Sequence, residues 1–219
     1  MRRTDIALLA GLLSLTAAYG EHPAATPAGF IRFCLDWPDQ CHYASHSPVR
    51  IGLTPERLRL IERINRAVND EIWPEDDLRH YGRAEMWAIP RDGYGDCEDY
   101  ALAKRQRLMA AGLPLPALRV AIVDSPASGR HAVLTVVTDQ GDLVLDNLDR
   151  RIRKPEETDY TWIARQDAGN PFGWVDLAAP TASAPVAAIH TYAESTPPIA
   201  DGAFKRTLRP GKKRLREQQ

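Results

Sequence analysis

Between Leu118 and Leu148, three apolar or β-branched runs follow one another with only short turns between them: Leu118–Val123, His131–Thr138 and Leu143–Leu148. The separators, around Asp124–Arg130 and Asp139–Gly141, are rich in turn formers. Parallel pairing needs a crossover of about a dozen residues or more, so connections this short force neighbouring strands to run antiparallel. Thr161-Trp162-Ile163 offers a fourth strand. Helical signals come earlier in the chain. Thr54 and Pro55 make an N-cap and first helical position, and Leu58, Ile61, Ile64, Val68 and Ile72 recur at helical spacing until Pro74. Asn65 and Asn69, one turn apart there, read as exposed or core hydrogen-bonding residues rather than catalytic ones. A second helix runs through Ala101–Ala111 and stops at Gly112, with Pro114 just beyond. Glu75–Asp92 reads as irregular loop. Helices first and strands afterwards predict an α+β domain, not a doubly wound one.

The chain of 219 residues has room for one catalytic domain with a real core. Its formal net charge of −1 conceals a division. Ala203–Gln219 carries seven Lys or Arg against one acid, and the first twenty residues carry +1, which leaves −8 on residues 21–202. The body is acidic, so nucleic-acid binding is not expected of it. Arg2 and Arg3, the apolar Ile6–Ala18 stretch and small residues near Gly20 read as a secretory signal over residues 1–20. The apolar run is short of the roughly 20 residues a membrane span needs. A folded domain is expected over 21–175, led in by the Pro/Ala-rich Glu21–Ala28. A disordered Pro/Ala-rich and basic tail is expected over 176–219.

Three cysteines fit an exported protein. Cys34 and Cys41 can pair in an oxidising compartment, which leaves Cys97 as the odd, reactive thiol. The competing reading is a metal site that uses Cys34, Cys41 and His42 or His46; it lacks a second cysteine pair.

Cys97 lies in Gly95-Asp96-Cys97-Glu98-Asp99-Tyr100, directly before the second helix. A helix N-terminus presents unpaired N–H groups and positive partial charge, and both favour a thiolate. His131 opens an apolar strand and Asp146 closes the next, so folding can assemble Cys97, His131 and Asp146 into an acyl-transfer triad. Antiparallel pairing puts His131 opposite Asn147–Arg150, within reach of Asp146. Three acids beside the nucleophile oppose thiolate formation. A bound Ca²⁺ on their hard oxygens is one resolution; simple capping by Asp96 beside two solvated acids is the other. Trp87 reads as a core or groove aromatic more than as an oxyanion donor.

Asp96-Cys97-Glu98-Asp99-Tyr100, His131-Ala-Val-Leu134 and Leu143-Val-Leu-Asp146-Asn147-Leu148 resemble the bacterial transglutaminase-like cysteine peptidases. So do Phe30–Cys34, Ile64–Asn69 and Tyr160–Gln166. The resemblance implies a papain-like, transglutaminase-type core with the nucleophile helix packed on an antiparallel sheet. It implies Cys97 as nucleophile, His131 as general base and acid, and Asp146 as the orienting carboxylate. Calcium is implied beside the nucleophile, on Asp96, Glu98 and Asp99. It further implies a soluble periplasmic endopeptidase whose protein substrate is a large surface adhesin controlling biofilm attachment. Some members are sequestered by an inner-membrane cyclic-di-GMP receptor. A transglutaminase or amidase, or a non-catalytic calcium-binding module, stands as the alternative.

Overall fold

The computed structural model describes residues 22–42 and 49–178. The expected signal segment 1–20, and the tail beyond residue 178, lie outside the described residues. So does His46, while Cys34 and Cys41 are joined as a disulfide.

The elements in chain order are β1 (Pro23–Ala24), α1 (Ala28–Asp36), α2 (Pro55–Glu71), β2 (Trp73–Pro74), α3 (Asp77–Tyr81) and β3 (Tyr94–Gly95). They continue with α4 (Cys97–Ala110), β4 (Leu118–Ser125), β5 (Gly129–Val136), β6 (Leu143–Leu145), β7 (Thr161–Gln166) and β8 (Trp174–Asp176). Thr54 caps α2 by accepting from the Arg57 amide, and Pro55 occupies the first turn as its missing N–H allows.

The main sheet has the order β1-β8-β7-β4-β5-β6, and every pairing in it is antiparallel. The fold is therefore α+β, as the short turns predict. Three parts differ from expectation. Pro23–Ala24 is not a loose lead-in but an edge strand on β8. The Glu75–Asp92 stretch is not wholly irregular, because Asp76 caps the short helix α3 within it. Asp176, where the tail was expected to begin, closes β8.

Helix α4 is the centre of the molecule. Its residues from Glu98 to Arg105 are all buried, packed on the sheet on one side and on α2 on the other. Below it, Phe30 meets Trp87 and Trp174 edge-on, and Arg105 lies over the rings of Phe30 and Phe33. A Cβ at Gly29 would collide with the Trp87 ring, so α1 seats that closely only with glycine there. Trp87 is thus a core aromatic, and its indole N–H donates to Glu85 at 3.3 Å.

Candidate active site

The site forms where the start of α4 meets the start of β5 and the end of β6. Cys97 is the first residue of α4, and its Sγ accepts from the Ala132 amide of β5 at 3.4 Å. The neighbouring side chain, His131, is 3% exposed. Its Nε2 meets Asp146 Oδ1 at 2.9 Å. With Nε2 committed to the acid, Nδ1 is the ring nitrogen left for the thiol. Leu134 pairs with Leu145, a register that continues to put His131 opposite Leu148. Asp146 reaches the ring because it lies just past the last paired residue of β6 and turns back.

Asp146 is held on every side. Oδ1 also accepts from the Leu148 amide at 2.9 Å, and Oδ2 accepts from the Tyr160 hydroxyl. The Tyr160 ring lies edge-on to His131, 6.1 Å between centroids. Burial raises the Asp146 pKa, but the bonds from His131, Tyr160 and Leu148 outweigh it and hold the carboxyl below its ordinary value. Its own carbonyl accepts from Asn69 at 2.8 Å. Asn65 and Asn69 are accordingly core hydrogen-bonding residues.

A second group of carboxylates sits at the same helix end in the opposite condition. Asp96 is the N-cap of α4, yet its side chain makes no capping bond and its Oδ1 is buried without a partner. Glu98 and Asp99 are 7% and 0% exposed, so they are not solvated first-turn acids. Glu98 Oε2 accepts the Cys97 thiol at 3.1 Å. Asp99 Oδ1 accepts from the Ala88 amide at 2.7 Å, but Oδ2 has no partner. Asp77 of α3 joins them, with one oxygen on the Met86 amide and the other unpaired. Ligand oxygens of Asp77, Asp96 and Asp99 lie within 4.8 Å of one another, as do ligand atoms of Asp96, Cys97 and Glu98. A Cβ at Gly95 would stand 2.6 Å from Asp99 Oδ2, so only glycine lets that carboxylate face the cluster.

The electrostatic result is severe. Burial, then the charge of Glu98, pushes Asp96 up to about 9. Burial raises Glu98 to about 7 and Asp99 to about 8. Burial, then the charges of Glu98 and Asp96, pushes the Cys97 thiol well above its ordinary range. Three buried acids and the partly buried Asp96, with three orphaned oxygens among them, fit a hard, oxygen-seeking dication.

Asp77 was not legible as part of this cluster, because nothing in its spacing distinguishes it from any acid opening a short helix. Tyr160 gave no signal either. Its role depends on β7 lying two strands from β5 and on the loop before β7 folding back over β6.

The family model for bacterial transglutaminase-like cysteine proteinases matches residues 20–182. Among solved structures, calcium-bound LapG of Legionella pneumophila is 26% identical, with 63% of this chain and 77% of that chain covered and a TM-score of 0.48. The EGTA-treated form of that protein is 28% identical, with 52% of this chain and 64% of that chain covered and a TM-score of 0.44. No curated protein sequence matches significantly. No described helix is long and apolar enough to cross a membrane. On the strength of the family match, which runs through both groups of carboxylates and the cysteine between them, this chain belongs to the bacterial transglutaminase-like cysteine proteinases.

Proposed function

We propose that the protein is a calcium-dependent cysteine endopeptidase with Cys97 as nucleophile, His131 as general base and acid, and Asp146 as the orienting carboxylate. The observation that carries this reading is the buried His131–Asp146 pair at 2.9 Å beside the amide that contacts the Cys97 sulfur at 3.4 Å. His131 takes the thiol proton through Nδ1, and the sulfur adds to a backbone carbonyl of the substrate. The Cys97 N–H, at the first position of α4, is one donor to the resulting oxyanion. His131 returns the proton to the leaving amine, and water then hydrolyses the thioester with His131 as base. Asp146 stays ionised and holds the ring in one tautomer throughout.

Asp77, Asp96, Glu98 and Asp99 would hold the calcium ion. Bound there, it supplies the positive charge that lets these acids ionise together and lowers the cost of a thiolate beside them. Asp77 thereby joins the three ligands expected from the sequence.

On this reading the enzyme works in the periplasm. The Cys34–Cys41 disulfide supports that, because such a bond persists in an oxidising compartment. The substrate class follows from the family resemblance: a large exported adhesin, cleaved to end biofilm attachment. The test is incubation with such an adhesin encoded beside this chain. Cleavage should need Cys97 and calcium, and EGTA should abolish it reversibly. Full cleavage in excess chelator would sink the calcium dependence. Transfer of a primary amine onto a glutamine side chain, without cleavage, would favour a transglutaminase.

A further inference from the structure

Beyond the triad, we infer that Asn69 is a positioning residue that fixes Asp146 relative to the helix carrying the nucleophile. The inference rests on the triad reading above. Ladder pairing between β5 and β6 ends at Leu134 and Leu145, so the Asp146 carbonyl falls just outside the sheet. A buried carbonyl without a partner is costly. Asn69 Nδ2 meets it at 2.8 Å, and only the NH₂ end of an amide can serve a carbonyl oxygen. One helical turn earlier, Asn65 Nδ2 meets the Arg150 carbonyl at 3.3 Å. Two asparagines on one face of α2 therefore hold both ends of the segment 146–150.

The same helix is tied to α4. The Tyr100 hydroxyl, one turn after Cys97, donates to the Ile72 carbonyl at the end of α2 at 2.6 Å. Val68, Ile72, Tyr100 and Ala103 pack together around that bond. The path from Cys97 to Asp146 thus runs through α4, Tyr100, the last turns of α2 and Asn69. It is independent of the path through β5 and His131. An acid held only by its carboxylate could follow the imidazole; one held by its backbone keeps the imidazole in place.

The test is the rate at which iodoacetamide alkylates Cys97 in the full chain with calcium present, followed by mass spectrometry alongside thermal melting. Asn69→Ala should slow alkylation by roughly tenfold, the scale of a misplaced catalytic group. Asp146→Ala should slow it more, and Asn69→Ala added to Asp146→Ala should cost nothing further. Asn65→Ala, at the far end of the segment, should cost less than Asn69→Ala. If Asn69→Ala does not fold, Asn69→Ser, which keeps a short donor, takes its place and should show an intermediate loss. A folded Asn69 variant that alkylates at the parent rate overturns the inference. So does an equal fractional loss in the presence and absence of the Asp146 carboxylate. Should Asp146→Ala itself alkylate at the parent rate, the triad reading fails, which is a different result from failure of Asn69 alone.

Discussion

Carboxylates withdrawn wholly or partly from solvent form two groups at the start of α4, and their surroundings are opposite. Asp146 has both oxygens and its carbonyl bonded, and its pKa is held down. Asp77, Asp96 and Asp99 each keep a buried oxygen with no partner, and burial raises all three. A satisfied buried acid is a finished part, whose charge has been compensated by the chain itself. An unsatisfied cluster is a part completed from outside. On the proposed function, the contrast separates a group that works by staying fixed from groups whose work is to bind.

The contrast is broken most directly by neutralising one acid from each side. Asp146→Asn should reduce turnover by roughly 10³–10⁴-fold, because the amide no longer specifies the working tautomer of His131. Steady-state cleavage kinetics would measure it, and a loss below tenfold would reduce Asp146 to a packing residue. Asp96→Asn should have the reverse sign for stability. It should stabilise the chelated protein by about 1–3 kcal/mol at neutral pH, since a carboxyl raised to about 9 must take up a proton on folding and an amide need not. Calcium should then raise the melting temperature of this variant much less than that of the parent. Calorimetric melts with and without EGTA give both quantities.

The third prediction concerns pH. Asp96, Glu98 and Asp99 have ordinary values near 4 and folded values of about 9, 7 and 8. The folded chain therefore binds more protons than the unfolded chain between those limits, and stability falls as pH rises. In EGTA the melting temperature should be higher at pH 5 than at pH 7, and calcium should remove most of that slope. Lys104, buried without a hydrogen-bond partner and lowered to about 7 by burial, pulls the other way but contributes little below pH 7. A comparison of pH 5 with pH 7 therefore reports chiefly on the acids. A melting temperature that rises across this interval would mean that the acids are compensated within the chain after all.

The smallest effect belongs to Tyr160→Phe, which removes one of the three bonds to the Asp146 carboxylate. A loss of about 1 kcal/mol, or roughly fivefold in alkylation rate, is expected. No change would show that His131 and the Leu148 amide suffice.

Much of this was readable before folding. The antiparallel sheet followed from turns too short to cross over, and Cys97, His131 and Asp146 stood out by their positions at element ends. The short strands β1 and β8 were hidden because two or three residues carry no periodic signal. Glu98 and Asp99 were ambiguous for a physical reason. Acids in a first helical turn are favourable in solvent through the helix dipole, and only burial of the whole helix leaves them as a cluster short of partners. Asn69 was legible only as an exposed or core hydrogen-bonding residue one turn from Asn65, because its partner is a backbone carbonyl 77 positions away, which no side-chain pattern reports.

The two ends of the main sheet bear on how this protein meets other chains. On one side β6 is covered by residue 153, whose amide and carbonyl exchange bonds with Val144 at 3.3 and 2.7 Å. On the other the sheet ends in the two-residue β1, one of whose residues is Pro23, with no N–H to offer. Among the described residues, neither edge strand, β1 or β6, presents a long open ladder, so an extended polypeptide gains little by aligning there. For a protease, whose substrates are themselves polypeptides, these short and covered edge strands lower the chance that another chain, or a second copy, is taken up as an added strand.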